Sequence, residues 1–152
     1  MEAERIKGAA LSVLIVALLM VPLLLISTKA VWGQEIGWIR QFGSSSWDYA
    51  YGVAADSSGN VYVAGYTGGA LPGQTFSGGN DAFVRRYDVS GNEVWTKQFG
   101  TSGDDYALGV SVDSSGNVYV AGRTGGALPG QTSSGYDDAF VRKYDDSGNE
   151  VW

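Results

Sequence analysis

Six acidic side chains, Asp48, Asp81, Asp104, Asp105, Asp137 and Asp138, stand beside glycine-rich stretches of the chain. Spaced carboxylates in such loops are the ligands a calcium site needs. A second acidic pattern, Asp-x-Ser-Gly-Asn, occurs four times, at 56–60, 88–92, 113–117 and 145–149. Two chemistries compete for it. Asp at the first place can accept backbone N–H groups in an Asx-turn, while Gly59, Gly91, Gly116 and Gly148 supply the positive φ of a hairpin turn. Calcium is the alternative, but the spacing lacks the alternating acids and the distal Glu of an EF-hand. Turn chemistry is therefore the expectation for Asp56, Asp88, Asp113 and Asp145. The six loop acids remain the calcium candidates, and no other cofactor is expected.

Other reaction classes have little to work with. The 152 residues contain no Cys and no His, which removes thiol nucleophiles, disulfides and every scheme built on an imidazole. Gly68-Gly69 and Gly78-Gly79 are not phosphate loops, since no Lys-Ser or Lys-Thr follows them. Beyond Gln34, seven basic residues face fourteen acidic ones, a net of −7, so a nucleic-acid backbone is not an expected partner.

The elements that must hold these acids come from a repeat. Gln41-Phe42-Gly43 recurs as Gln98-Phe99-Gly100, and Phe83-Val84-Arg85 as Phe140-Val141-Arg142, always 57 residues on. Residues 39–95 and 96–152 share 43 identities in 57 positions, which makes them interchangeable units. A fixed period of this size signals a solenoid or propeller, whose unit cannot bury its apolar faces alone. Each copy contains four strand-like runs separated by turn signals: in the first, 49–55, 60–66, 81–87 and 93–99. Val61 and Val63 alternate with Tyr62 and Ala64, so both faces of that strand are apolar and the sheet is sandwiched between others. The expected fold is all-β: two four-stranded antiparallel propeller blades in residues 35–152.

Residues 1–34 are different in kind. The run 8–26 is uncharged and almost wholly apolar, preceded by Arg5 and Lys7. Its nineteen residues exceed a usual signal-peptide core and approach spanning length, which favours an uncleaved hydrophobic helix anchoring the chain in a membrane. Small residues at Ala30 and Gly33 keep a cleaved signal peptide open. Either outcome places the folded part outside the cytoplasm, membrane-anchored or secreted at the cell surface.

The run Asp56 to Thr67, with Asp81-Ala82-Phe83-Val84 and Tyr87-Asp88 downstream and its second copy at 113–145, resembles the SBBP-type β-propeller repeat. The resemblance implies exported or cell-surface proteins of bacteria and archaea, with no established general activity and no catalytic residues to carry over. A ring needs more than two blades, so further blades in the same chain or in other copies are expected partners.

A four-stranded meander sends its connections alternately to two faces. The Asp-x-Ser-Gly-Asn turns fall on one, and the long 68–80 and 125–137 loops on the other, beside 43–48 and 100–105. Long loops on a rigid scaffold favour the second face for binding a protein or carbohydrate, and it gathers the six acids with Trp47 and Tyr136. A solvated acidic rim is the plainer account of it. Trp38, Trp95 and Trp152, one per period, are expected as wedges between blades rather than a sugar-stacking row. Asp88 to Trp95 also resembles the Asp-box of sialidases and the Gly-x-x-x-Trp turn of quinoprotein propellers. A sialidase site, however, needs arginines and a tyrosine from non-equivalent blades. The expectation is a non-enzymatic binding or structural module, with a fragment of an exported propeller enzyme as the alternative.

Overall fold

Alternating β-branched and aromatic residues broken by Gly-containing turns leave each repeat no choice but an antiparallel meander. The computed structural model describes residues 37–152. The expected N-terminal helix, with its membrane or export role, lies outside the described residues. Strands β1 (Asp48–Ala55), β2 (Val61–Thr67), β3 (Asp81–Tyr87) and β4 (Glu93–Phe99) form one sheet in that order, and β5 (Asp105–Val112), β6 (Val118–Thr124) and β7 (Asp138–Tyr144) form a second. All pairings are antiparallel. The described residues contain no helix.

One expectation needs correcting. The second sheet has three strands, not four. Trp152 is in phase with Trp95, so the repeat reaches only the first part of a β4 equivalent. What pairs there is an isolated bridge between Tyr144 and Glu150, backed by bonds from Val151 N to Lys143 O and from Lys143 N to Trp152 O, each 2.8 Å.

The two sheets pack face to face through side chains that alternate in sequence. Tyr62, Ala64, Ala82 and Val84 of the first sheet meet Ala107, Val118, Val120 and Tyr144 of the second in one buried cluster. Each fully buried Val or Tyr in it contributes about 1.5–3 kcal/mol. The opposite face of β2, carrying Val61 and Val63, is half-buried. Both faces are therefore apolar, as the alternation requires, but within residues 37–152 each sheet has only one sheet-sized neighbour.

The tryptophans act as wedges between successive units. Trp95 and Phe99 of β4 lie on Tyr144 and Phe140 of the second sheet, with ring centroids 6.1 and 5.5 Å apart. Trp38 and Phe42 lie on Tyr87 and Phe83 of the first sheet in the same way, at 5.7 and 5.4 Å. Each indole rests on a turn glycine. A Cβ at Gly91 would come within 2.6 Å of Trp38, and one at Gly148 within 2.8 Å of Trp95. Trp152 is tilted against Tyr119 and remains half exposed.

A β-bulge recurs at the same place in both repeats, between Ala50 and Gly52 and between Ala107 and Gly109. It turns Tyr51 and Leu108 outward, where both are exposed.

Candidate binding face

The four Asp-x-Ser-Gly-Asn turns are Asx-turns with their carboxylates fully engaged. Asp56 Oδ1 accepts the Ser58 and Asn60 amides at 2.9 and 3.0 Å, and Oδ2 accepts Asn60 Nδ2 at 2.7 Å. Asp113 repeats the pattern with Ser115 and Asn117. Asp88 and Asp145 take the side chain and amide of Asn92 and Asn149. Gly59, Gly91, Gly116 and Gly148 all have φ between 76° and 84°.

These bonds show in the acidity of the groups. The Asn92, Asn117 and Asn149 side chains, with the turn amides, hold Asp88, Asp113 and Asp145 below the usual carboxylate range. At Asp56 burial pulls upward, but its four donors together outweigh it and the carboxyl is lowered as well. A carboxylate spending its lone pairs on its own turn has little left for a metal.

The six calcium candidates fall at the opposite face, as the meander dictates, but they do not converge. Among the described residues no three acidic groups gather as a metal cluster. Asp48 accepts Ser44 N at 2.8 Å, and Asp138 accepts Ser134 N at 2.8 Å. Asp104 takes Asn80 Nδ2 at 2.8 Å, and Asp137 is ion-paired with Arg123.

Only Asp81 and Asp105 meet, and both are fully buried. A Cβ on Gly100 would lie 2.5 Å from Asp81 Oδ1 and 2.7 Å from Asp105 Oδ2, so only glycine fits between them. Asp81 Oδ2 accepts Ser77 N and Gln98 Nε2 at 2.8 and 2.9 Å, and Asp105 Oδ2 accepts Thr101 N at 2.5 Å. The Oδ1 of each has no hydrogen-bond partner among the described residues. Burial pushes the Asp81 carboxyl up against the pull of its donors, and the Asp105 charge adds to the rise.

What the sequence reading missed on this side is a row of tyrosines beside Trp47 and Tyr136. Tyr49 and Tyr51 stack on Tyr66 at centroid distances of 5.1 and 5.7 Å, and Tyr106 meets Tyr66 edge-on at 4.5 Å. Tyr49 and Tyr51 stay about half exposed, and Trp47 (74% exposed) and Tyr136 (100%) stand free nearby. In the second repeat the row is replaced. Leu108 stands for Tyr51 and Arg123 for Tyr66, with the Arg123 guanidinium 4.2 Å from the Tyr106 ring.

A usable signal existed in the fourteen positions at which the repeats differ. Eight of them belong to this face or the strand ends leading to it: 44, 46, 47, 51, 66, 76, 79 and 80 in the first copy. The Asx-turns and the inter-sheet core are almost untouched.

The model of the SBBP β-propeller repeat matches at residues 37–72 and again at 94–129. The chain carries two SBBP repeats. It is 33% identical over 121 residues, 72% of its length, to the regulatory protein FlaEY of Caulobacter vibrioides. It is 26% identical over 119 residues, 64% of its length, to the uncharacterized WD repeat-containing protein L264 of Acanthamoeba polyphaga mimivirus. The chain spans only 13% and 8% of the lengths of these two relatives. Each match begins one residue before a wedge tryptophan, Trp38 or Trp95, and runs through the Asx-turn into the long loop. The second match thus starts on β4, at the edge of the first sheet, and continues into the second sheet.

Proposed function

We propose that this SBBP chain is an exported, cell-surface β-propeller module that binds a protein or carbohydrate through its loop face and has no catalytic site of its own. Its N-terminal apolar segment serves as membrane anchor or signal peptide. One observation carries the binding assignment. The two repeats keep the core and the Asx-turns nearly identical while the loop face diverges, and that face exposes Tyr49, Tyr51, Trp47 and Tyr136. Divergence on a constant scaffold is the pattern of recognition, because loops there change without cost to the fold.

The test immobilises the full chain in detergent and probes it with a defined glycan panel and with surface-protein extract. A ligand lost on Trp47→Ala with Tyr51→Leu, and kept on Ser57→Ala with Ser114→Ala on the turn face, supports the reading. Binding lost equally from both faces, or from neither, removes it. Fusing residues 1–34 to a reporter tests export separately, since a soluble cytoplasmic reporter would be incompatible with it.

A further inference from the structure

Asp81 and Asp105 bring two carboxyl groups together at the point where the sheets join. Asp105 N donates to Asn80 O at 2.6 Å, and Asn80 forms an isolated parallel bridge with Asp104, so the first residues of β3 and β5 are tied side by side. Both side chains are 0% exposed. Gly100, which leads from β4 to β5, presents only a hydrogen to them. Each carboxyl is met on one oxygen alone. Oδ2 of Asp81 takes Ser77 N and Gln98 Nε2, and Oδ2 of Asp105 takes the amide and hydroxyl of Thr101. The two Oδ1 atoms are shut off from solvent with no donor among the described residues.

No positive charge balances the pair. Arg85 is ion-paired with Glu93, Arg86 with Asp146, Arg123 with Asp137 and Arg142 with Glu150. Lys97 of β4 stands opposite Val84, three residues along β3 from Asp81. The ionisable groups on the other adjoining elements are acids and one phenol. Asp48 lies across Thr67 from Asp81, Asp138 lies across Thr124 from Asp105, Asp104 precedes Asp105, and the Tyr106 hydroxyl is bonded to Asn80. Two adjacent buried carboxylates do not both ionise in such surroundings. A calcium ion would require about six to eight oxygens, and no third acid converges among the described residues. A bridging water supplies hydrogens but leaves both charges in place.

We infer that Asp81 and Asp105 hold one proton between them at neutral pH, on the side of their unpartnered Oδ1 atoms, and so form a pH-sensitive clamp between the two sheets. The proton gives one carboxyl a donor for the lone pair of the other and leaves the pair a single charge. It belongs to the pair rather than to either residue. The folded chain then keeps a proton that the unfolded chain releases above about pH 4. The clamp's contribution is therefore full below that pH and is lost as pH rises through the range of the pair. It is independent of ligand binding at the loop face.

The chain's composition makes the test clean, because with no His and no Cys no imidazole or thiol titrates between about pH 5 and 7. Urea denaturation of the full chain in detergent should show an unfolding constant that rises at least about tenfold across that window, a tenfold change being one unit of displaced titration. Asp81→Asn keeps an oxygen for Ser77 and Gln98 and turns an amide N–H toward Asp105, standing in for the protonated form. It should abolish the rise and unfold no more readily than the parent at pH 7. Asp105→Asn should do the same. The two together set donor against donor and should unfold more readily than either alone. Infrared spectra at pH 7 read the proton directly, as the carbonyl stretch of an un-ionised carboxyl that is present in the parent and missing from Asp81→Asn. A parent without that stretch, or with a flat profile from pH 5 to 7, overturns the shared proton. Additive effects in the double variant overturn the sharing, since each acid would then titrate alone. A gain in stability with millimolar Ca²⁺ at pH 7, lost in both single variants, overturns it in favour of a cation.

Discussion

Strands β3 and β7 differ at one position in seven, Arg86 against Lys143, yet their environments have little in common. Val84 is 0% exposed and Val141 57%, and Asp81 is buried where Asp138 is half-buried. The difference comes from neighbours: β3 has β4 along its edge and the second sheet over its Val84 face, whereas β7 has only the short pairing with residues 150–152 on its edge and, among the described residues, no sheet over its Val141 face. Burial in a repeat protein is a property of position in the stack, because each unit's apolar faces are completed only by the units beside it.

The sharpest way to break this comparison is to charge both valines. Val84→Asp should cost at least about 4 kcal/mol, since it places an unpaired carboxylate in the inter-sheet cluster. Val141→Asp should change stability by less than about 0.5 kcal/mol, since that side chain is exposed. Urea denaturation followed by tryptophan fluorescence reads both, and equal losses would show that β7 is as covered as β3.

A smaller effect separates the two kinds of turn. Gly91 and Gly148 combine a positive φ with an indole pressed on the Cα, whereas Gly59 and Gly116 have the φ alone with looser neighbours. Gly148→Ala should therefore cost roughly 2–3 kcal/mol and Gly116→Ala about 1 kcal/mol. Thermal melts that rank them equally would mean that Trp95 yields to the methyl group without loss.

Acidification should be gentler still. The turn carboxylates Asp56, Asp88, Asp113 and Asp145 are held below their unfolded values, so the stability they contribute is fully present above about pH 4. It is lost as pH falls through the lower folded values. Asp81 works in the opposite sense, because its raised value makes the charged form the less stable one in the fold. The melting temperature should thus fall below pH 4, and less steeply in a chain with Asp113→Asn. Asp81→Asn should flatten the opposing rise just above pH 4. A profile unchanged by either substitution would remove these groups from the account.

Smallest is the expected response to calcium. With no three of the candidate acids gathered among the described residues, and Asp81 and Asp105 the one pair that meets, millimolar Ca²⁺ should leave the melting temperature within about one degree, because only a ligand that binds the native state raises it. A larger rise, abolished by Asp104→Asn with Asp105→Asn, would establish a site at the loop face after all.

Much of this architecture was legible residue by residue. The 57-residue period, the strand runs and the Asx-turns follow from local chemistry: Asp beside Ser-Gly-Asn satisfies its own turn wherever it stands, and alternation of Val with Tyr makes a two-faced strand. That the six loop acids share one face was readable, since a meander's connections alternate and Asp48, Asp81, Asp105 and Asp138 each open a strand. Their failure to converge was not readable, because side-chain direction across loops depends on partners such as Asn80 and Arg123 that lie far away in sequence or take a different residue in the other copy.

By itself, then, the sequence determined the repeat, its four-run pattern, the turns and the two-sided apolar character of the strands, because each depends on residues within a few positions of one another. Only the tertiary structure decided which of two identical faces is buried, that Gly91 and Gly148 carry an indole, that Asp81 and Asp105 meet beside Gly100, and that Gln98 is locked onto Leu71, Gly69 and Asp81. Those are relations between one repeat and the next. Two nearly identical sequences cannot distinguish themselves locally, so the order in which they stack makes the distinction.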